Sequence, residues 1–400
     1  MAEDGRLLRR VVLRNYKSIA ACDVSPAQLT FLVGPNGSGK SNFLDALKFV
    51  ADSLQFSIDH ALLDRGGIKE VRRRSSGRPT HFGIRLEFEL AEYIGHFAFN
   101  VGAKKGGGHA IQQEECSIVP KNQGRRHFYS VSSGSVIESS LTPAPAATAD
   151  RLYLVNASGV SAFRPVYDAL SGMGFYSLSP SAIRDLQPPD PRELLSHNGS
   201  NIASVLGRLA ARSPGVRRRI EEYLGKVVPG ITQVDRKAVG PRETLQFRQR
   251  VGSAEHPWRF FASSMSDGTL RTCGVLVSLF QGVGQDRPER SLVGIEEPEV
   301  ALHPAAAGVL VDSLRDAAQH VQILVTSHSA DLLDSNRISD ESILAVMAEQ
   351  GETRVGPVDE VGRSVLRDRL YTAGELLRMN QLDPDPVLSQ LQLDQTDLFD

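Results

Sequence analysis

Residues 28–54 read QLTFLVGPNGSGKSNFLDALKFVADSL, and this stretch decides the fold. Gln28–Val33 is an apolar, β-branched run that predicts a buried strand. Phe43, Leu44, Leu47, Val50, Ala51 and Leu54 then recur at helical spacing. Between them lies GPNGSGKS, Gly34–Ser41, which satisfies G-x-x-x-x-G-K-[ST]. The glycines let main-chain N–H groups converge on phosphate oxygens that side chains would otherwise block. The helix that follows adds the positive end of its dipole. Gly34, Pro35, Asn36, Gly37, Ser38, Gly39, Lys40, Ser41 and Asn42 are therefore expected to bind a nucleotide. Lys40 suits the β- and γ-phosphates of ATP, and the Ser41 hydroxyl suits a magnesium ion. The motif alone also occurs by chance; strand, glycine loop and helix in this order are the context it needs.

The last third of the chain carries the matching chemistry. SLVGIEEPE, residues 291–299, is an apolar strand that ends abruptly in carboxylates. An acidic turn after a strand is ordinary by itself. Beside a phosphate loop, two adjacent acids have a use, because they are costly to bury without a cation or polarised water. One, Glu296, can hold magnesium; the next, Glu297, can orient the attacking water, since neighbouring strand residues point to opposite sides. A helix is expected over Pro304–His320 and a second buried strand over Val321–Thr326, ending in SHS with His328 at its tip. Strand, helix and strand make a βαβ unit, with a parallel sheet as the default. SSMSDGTLR, residues 263–271, places a hydroxyl and a glycine before an apolar helix. Ser266 is its expected N-cap, and the helix start is a ready anion site.

Elsewhere the pattern is plainer. LLRRVVLRNYKSIA predicts an N-terminal strand, and Phe82–Phe99 partly alternates, which predicts antiparallel strands. Further strands are expected at Ser117–Pro120, His127–Ser132, Ile231–Val239 and Thr244–Val251, and helices over 180–230 broken by Pro188, Pro189 and Pro191. Residues 132–150 are rich in Ser, Ala, Pro and Thr and read as a mobile loop. The formal net charge of −2 advertises no global attraction to nucleic acid, so any such contact needs a local patch. Arg72–Arg74, Arg125–Arg126 and Arg217–Arg219 are the candidates, although short charge runs are usually solvated faces. Three cysteines far apart in sequence form no C-x-x-C pair, which argues against structural zinc. No run of about 18 apolar residues exists, so no membrane partner and a cytoplasmic location are expected.

The order phosphate loop, S-D-G, E-E-P and strand-end histidine resembles the Walker A, signature, Walker B and switch motifs of ABC ATPases. The variants are those of the SMC/RecF branch. RNYKS (14–18) resembles the N-F-[RK]-S of those heads, and GPNGSGKSNFLDAL, MSDGTLR, EEPEVALHP and TSHSADLL resemble their four motifs in turn. LSHNGSNIASVLGRL (195–209) and LYTAGELLRM (370–379) resemble stand-alone ATPases of the OLD/RecF-like group, often linked to bacterial defence. The similarity covers residues 8–50 and 260–380 firmly and the middle loosely.

The resemblance implies an α/β fold: an ABC/SMC-type head with a RecA-like, mostly parallel sheet, an antiparallel β lobe and a helical insertion. Its expected parts are residues 1–60 around Walker A, a lobe and insertion over 61–260, signature to switch over 261–350, and a helical segment over 351–380. An acidic, disordered tail is expected over 381–400. Lys40, Glu297 and His328 are the implied catalytic residues, and Ser41 and Glu296 the implied magnesium ligands. Ser266, Asp267 and Gly268 form the signature, which in this family acts on the γ-phosphate held by the opposite subunit. ATP and Mg2+ are the implied cofactors, and a homodimer closed through an ATP sandwich the implied assembly. DNA and a separate, nuclease-like effector protein are further implied partners, in DNA repair or antiviral defence. A low-turnover, nucleotide-gated scaffold that holds a partner protein is the alternative, and a soluble transporter subunit fits less well because the signature reads S-D-G rather than S-G-G. The family's Q-loop glutamine has no diagnostic match; Gln112, Gln113 and Gln123 are candidates, as Arg14 and Lys17 are for the base. Long coiled-coil arms are absent, since residues 42–265 lack sustained a/d heptads.

Overall fold

The computed structural model describes residues 6–75, 79–104, 106–122, 124–252, 256–283, 291–335, 337–394 and 398–399. They divide into two compact units. The first comprises Met1–Met173, Ser339–Tyr371 and Met379–Asp400; the second comprises Gly174–Ile338 and Thr372–Arg378.

The first unit is organised on a mixed sheet. Leu8–Tyr16 forms a tight antiparallel pair with Ile19–Val24 and, on its other edge, pairs with His81–Glu89. From there the chain runs as an antiparallel meander through Tyr93–Ala103, His109–Pro120, His127–Ser132 and Ser135–Ser139. On the far side, Ile19–Val24 meets Glu352–Pro357, which pairs antiparallel with Ile343–Glu349. That strand in turn runs parallel to Leu29–Val33, which leads into the phosphate loop. Alternation decides the faces. Phe82, Ile84, Leu86 and Phe88 are buried, whereas Arg85 and Glu87 between them join ion pairs with Glu115 and Arg10. The helix Lys40–Gln55 buries Phe43, Leu44, Leu47, Val50 and Leu54, the stripe its spacing predicts. Phe49 of that helix packs edge-on against Tyr16 and Phe82, with centroids 6.1 and 5.4 Å apart. Each such buried side chain contributes about 1.5–3 kcal/mol, so this helix start is held rigidly.

Two expectations change here. Ser135–Ser139, within the loop expected over 132–150, is a strand paired with His127–Ser132. Nor are the described residues of 381–400 a loose tail. Pro386–Asp394 is a helix that turns Ser389 and Gln392 inward, and the Gln392 amide donates to Asp23 O at 2.8 Å. Leu398 is buried against Val12 and Ala98, and its carbonyl accepts from Arg85. The acids and prolines suggested disorder because the inward face is polar; hydrogen bonds to strand edges replace apolar packing there.

In the second unit, Gly174–Tyr176, Leu292–Glu296 and Gln322–Ser327 lie parallel, with Glu296 opposite Thr326. The crossover between the last two begins as a 3-10 turn at Pro304–Ala306 and continues as the helix Ala307–Ala317. Ile231–Val239, Arg242–Gln249 and Trp258–Phe261 make a separate antiparallel sheet, with the helices Ile202–Arg212 and Pro214–Val227 against its first strand. The helix Asp267–Phe280 buries nearly its whole length. Two of the arginine runs are engaged by acids of their own unit: Arg73 and Arg74 with Glu352 and Glu70, Arg217 and Arg219 with Glu221, Asp235 and Asp316. Among the described residues no helix is long and apolar enough to cross a membrane.

Candidate functional site

The phosphate loop of the first unit is shaped by left-handed steps at Gly37 (φ 77°) and Gly39 (φ 103°). Such steps gather main-chain N–H groups into an anion-binding concavity. The glycines have two separate jobs. A Cβ on Gly34 would lie 1.9 Å from Val346 O, and one on Gly39 would lie 2.1 Å from Thr353 Oγ1, so both are required by the chain's own packing. A Cβ on Gly37 would meet nothing within 4 Å, so at this glycine the loop faces outward. Pro35, Asn36, Gly37 and Ser41 are exposed, while Ser38 and Lys40 are buried. The Lys40 ammonium donates to Gly34 O at 2.8 Å and Pro35 O at 2.9 Å, which fixes its charge at the loop. The Ser38 hydroxyl is buried with no hydrogen-bond partner.

Thr353, which nothing in the sequence marked, braces this loop from behind. Its hydroxyl donates to Ser38 O at 2.8 Å and lies 2.7 Å from Ser18 Oγ, which accepts from the Asn42 amide at 2.6 Å. Asn42 therefore serves the rear of the loop. Lys17 pairs with Asp45 at 2.5 Å, and the largely buried Arg14 donates to Leu13 O. Gln112 and Gln113 sit on the strand His109–Pro120, and Gln123 lies outside the described residues. An exposed rim, a fixed ammonium and an orphaned hydroxyl suit a polyphosphate. Magnesium bound with phosphates asks the protein for only one or two oxygens, which the exposed Ser41 hydroxyl suits. Among the described residues no cluster of three metal-ligating side chains offers a separate cage.

The second unit brings the other predicted residues together. Leu292–Glu296 ends level with Gln322–Ser327, and Glu297 leaves the strand in a left-handed conformation, φ 43°. A non-glycine residue pays roughly 1–2 kcal/mol for that geometry. Strand alternation therefore does not set the direction of Glu297, contrary to the argument from neighbouring strand positions. Instead its N–H donates to Thr326 O at 3.0 Å, and its Oε1 lies 3.0 Å from His328 Nδ1. Both side chains are 36% exposed, which leaves room for water at the pair. Beside them, Glu299 Oε1 accepts from Ser327 Oγ at 2.6 Å, and burial raises the Glu299 carboxyl above its usual range. Glu296 is half-buried, and its carbonyl accepts from Arg271 at 3.3 Å.

Ser266 caps the helix Asp267–Phe280 as expected, its hydroxyl accepting from Thr269 N at 3.2 Å, an interaction worth about 1 kcal/mol. A Cβ on Gly268 would lie 2.3 Å from Ala301 O, so this glycine is where the helix start presses on the segment after the acids. Asp267 forms an ion pair with Arg184 of the same unit. Glu299, Ser327 and Thr326 stood in quoted motifs without a role. Arg184 and Thr353 carried no signal at all, because their partners are remote in sequence.

The fold and these motifs define an ABC-type ATPase head of the SMC/RecF branch. Residues 29–95 and 132–334 match the family described as "AAA domain, putative AbiEii toxin, Type IV TA system", and the chain belongs to that family. It is 39% identical over 106 residues to the chromosome partition protein Smc of Methanocaldococcus jannaschii, a match covering 25% of this chain and 8% of that protein. It is 38% identical over 50 residues to the DNA replication and repair protein RecF of Vibrio campbellii, covering 12% and 14%. The chain thus spans less than a sixth of the length of either relative. Among solved structures, a crystal structure of an Smc head bound to the C-winged helix domain of ScpA superposes with TM-score 0.55 at 15% identity, covering 87% of this chain and 96% of that one. An Smc head with an extended coiled coil, bound to the C-terminal domain of ScpA from Pyrococcus furiosus, gives 0.53 at 13% identity, covering 91% and 100%. These likenesses show the fold.

Proposed function

We propose that this chain hydrolyses ATP with magnesium and uses the cycle to close and reopen a pair of its own copies. The observation that carries the reading is the Glu297–His328 pair at 3.0 Å, set at the ends of parallel strands in a chain that also has a phosphate loop. Gly34–Ser41 would hold the phosphates, with Ser41 and Glu296 as the protein oxygens for magnesium, which neutralises phosphate charge when bound. Glu297 orients a water toward the γ-phosphorus and takes its proton, while the bond to the bridging oxygen breaks. His328 fixes the rotamer of Glu297 and would contact the γ-phosphate, with ADP as the leaving group. Ser266 and Gly268 would reach the nucleotide of the opposite copy, so the γ-phosphate stabilises the closed pair and its loss reopens it.

The family description favours a defence role, and the Smc and RecF relatives favour work on DNA; a cytoplasmic location suits both. The conformational output would pass to DNA or to a separate effector protein. The test is Glu297→Gln in the full chain. It should bind ATP, lose turnover, and run as a dimer on a sizing column only with ATP. Normal hydrolysis in this variant removes Glu297 from the mechanism. Turnover of the unaltered chain with and without duplex DNA then separates a DNA-coupled motor, which DNA stimulates, from a scaffold with almost no turnover.

A further inference from the structure

Two opposite charges of the second unit each bury an atom without a partner. Glu299 spends Oε1 on Ser327, whereas its Oε2 is buried and accepts nothing. Arg271, on the helix capped by Ser266, reaches the Glu296 carbonyl through Nη2, whereas its Nε is buried with no acceptor. Burial lowers the guanidinium's pKa, and among the charges that oppose this, Glu299 counts most, ahead of Glu297 and Glu296. Buried polar atoms nearly always have hydrogen-bond partners, so two orphaned atoms on neighbouring opposite charges call for an explanation.

The neighbours of both groups indicate what that arrangement moves. Ser327 Oγ, which donates to Glu299, also accepts from Ser329 N at 3.1 Å, so Glu299 grips the chain on both sides of His328. At the other end, Gly268 presses on Ala301, itself left-handed at φ 67°. Residues 296–301 are thus held by the signature helix on one side and by the switch strand on the other.

We propose that Arg271 and Glu299 are positioning residues, a guanidinium–carboxylate couple that carries a shift of the signature helix to Ser327 and so to the Glu297–His328 pair. A small displacement of the helix exchanges the long contact with the Glu296 carbonyl for a charge-assisted bond to Glu299 Oε2. Glu297 then reaches its working orientation only when the signature helix is seated. This inference rests on the ATPase reading given above and supplies its internal coupling.

A double-mutant cycle tests it in the full chain, with Arg271→Lys, Glu299→Gln and the double variant, all close to the original size. Steady-state ATP turnover is measured beside binding of a fluorescent ATP analogue and thermal melting. Each single change should lower kcat about tenfold while nucleotide affinity stays within about twofold, and the double variant should be no slower than the slower single. Arg271→Ala should lose more than Arg271→Lys, which keeps the charge. Independent, multiplicative losses sink the coupling, as do unchanged kcat in both singles or losses confined to nucleotide affinity. An unaltered chain with no turnover sinks the ATPase reading itself, and this inference with it; an active chain with a multiplicative cycle sinks only the inference.

Discussion

The phosphate loop and the acid cluster are built on different principles. The loop is made by the main chain: glycine torsions shape it, and side chains such as Thr353 and Ser18 only brace it. The acid cluster is made by side chains: Glu297 meets His328, Glu299 meets Ser327, and the main chain merely brings two strand ends level. A site shaped by the main chain is spoiled by adding atoms as well as by removing its lysine, whereas a site made of side chains is spoiled by removing them. The two regions should therefore fail in different ways.

The largest effect separates them directly. Lys40→Ala should abolish detectable turnover, about a thousandfold or more, because the ammonium fixed at the loop disappears. Fluorescent-nucleotide titration should show that binding goes with it, whereas Glu297→Gln keeps binding. Turnover at the unaltered rate in the lysine variant would remove the loop from the site.

Adding atoms to the loop comes next. Gly39→Ala meets both a strained φ of 103° and Thr353 at 2.1 Å, and ATP affinity should drop at least about tenfold. Gly37→Ala carries only the strain of φ 77°, about 1 kcal/mol, with no clash. Equal losses in the two variants would mean that packing against Thr353 does not shape the loop. A smaller change follows for Thr353→Val, which keeps the volume and removes the hydroxyl. Two hydrogen bonds of about 1 kcal/mol each are lost behind the loop, so KM for ATP should rise by up to about thirtyfold with kcat nearly unchanged. A drop in kcat with constant KM would place the effect elsewhere.

These contrasts explain what the sequence could disclose. Gly34–Ser41 and the stripe from Phe43 to Leu54 were legible because local torsion and periodicity are written in consecutive residues. The strand over Leu292–Glu296 and its partner over Gln322–Ser327 were legible as apolar runs with polar ends. Thr353 was not, because it lies 315 residues from the carbonyl it braces. The left-handed Glu297 was not, because no rule of composition places a glutamate there. The helix Pro386–Asp394 was misread because its inward side is polar and binds strand carbonyls through Gln392.

The smallest effect on turnover belongs to Glu114, in the first unit but outside the loop. This carboxyl is fully buried, and burial pushes its pKa up to about 7 although Tyr153 N, Leu154 N and Tyr129 Oη all donate to it. The folded value lies above the ordinary 4.5, so the protonated form favours the fold. Its contribution is complete below about pH 4.5 and is lost as pH rises through about 7, by something on the order of 3 kcal/mol. Glu114→Gln removes the titration while keeping the shape. Urea unfolding followed by circular dichroism at several pH values should show a stability difference between the two proteins that changes with pH below about 7 and levels off above it. ATP turnover per folded molecule should be the same in both. A pH-independent difference would show that Glu114 does not titrate in this range. A change in turnover would mean that Glu114 also acts on the nucleotide site.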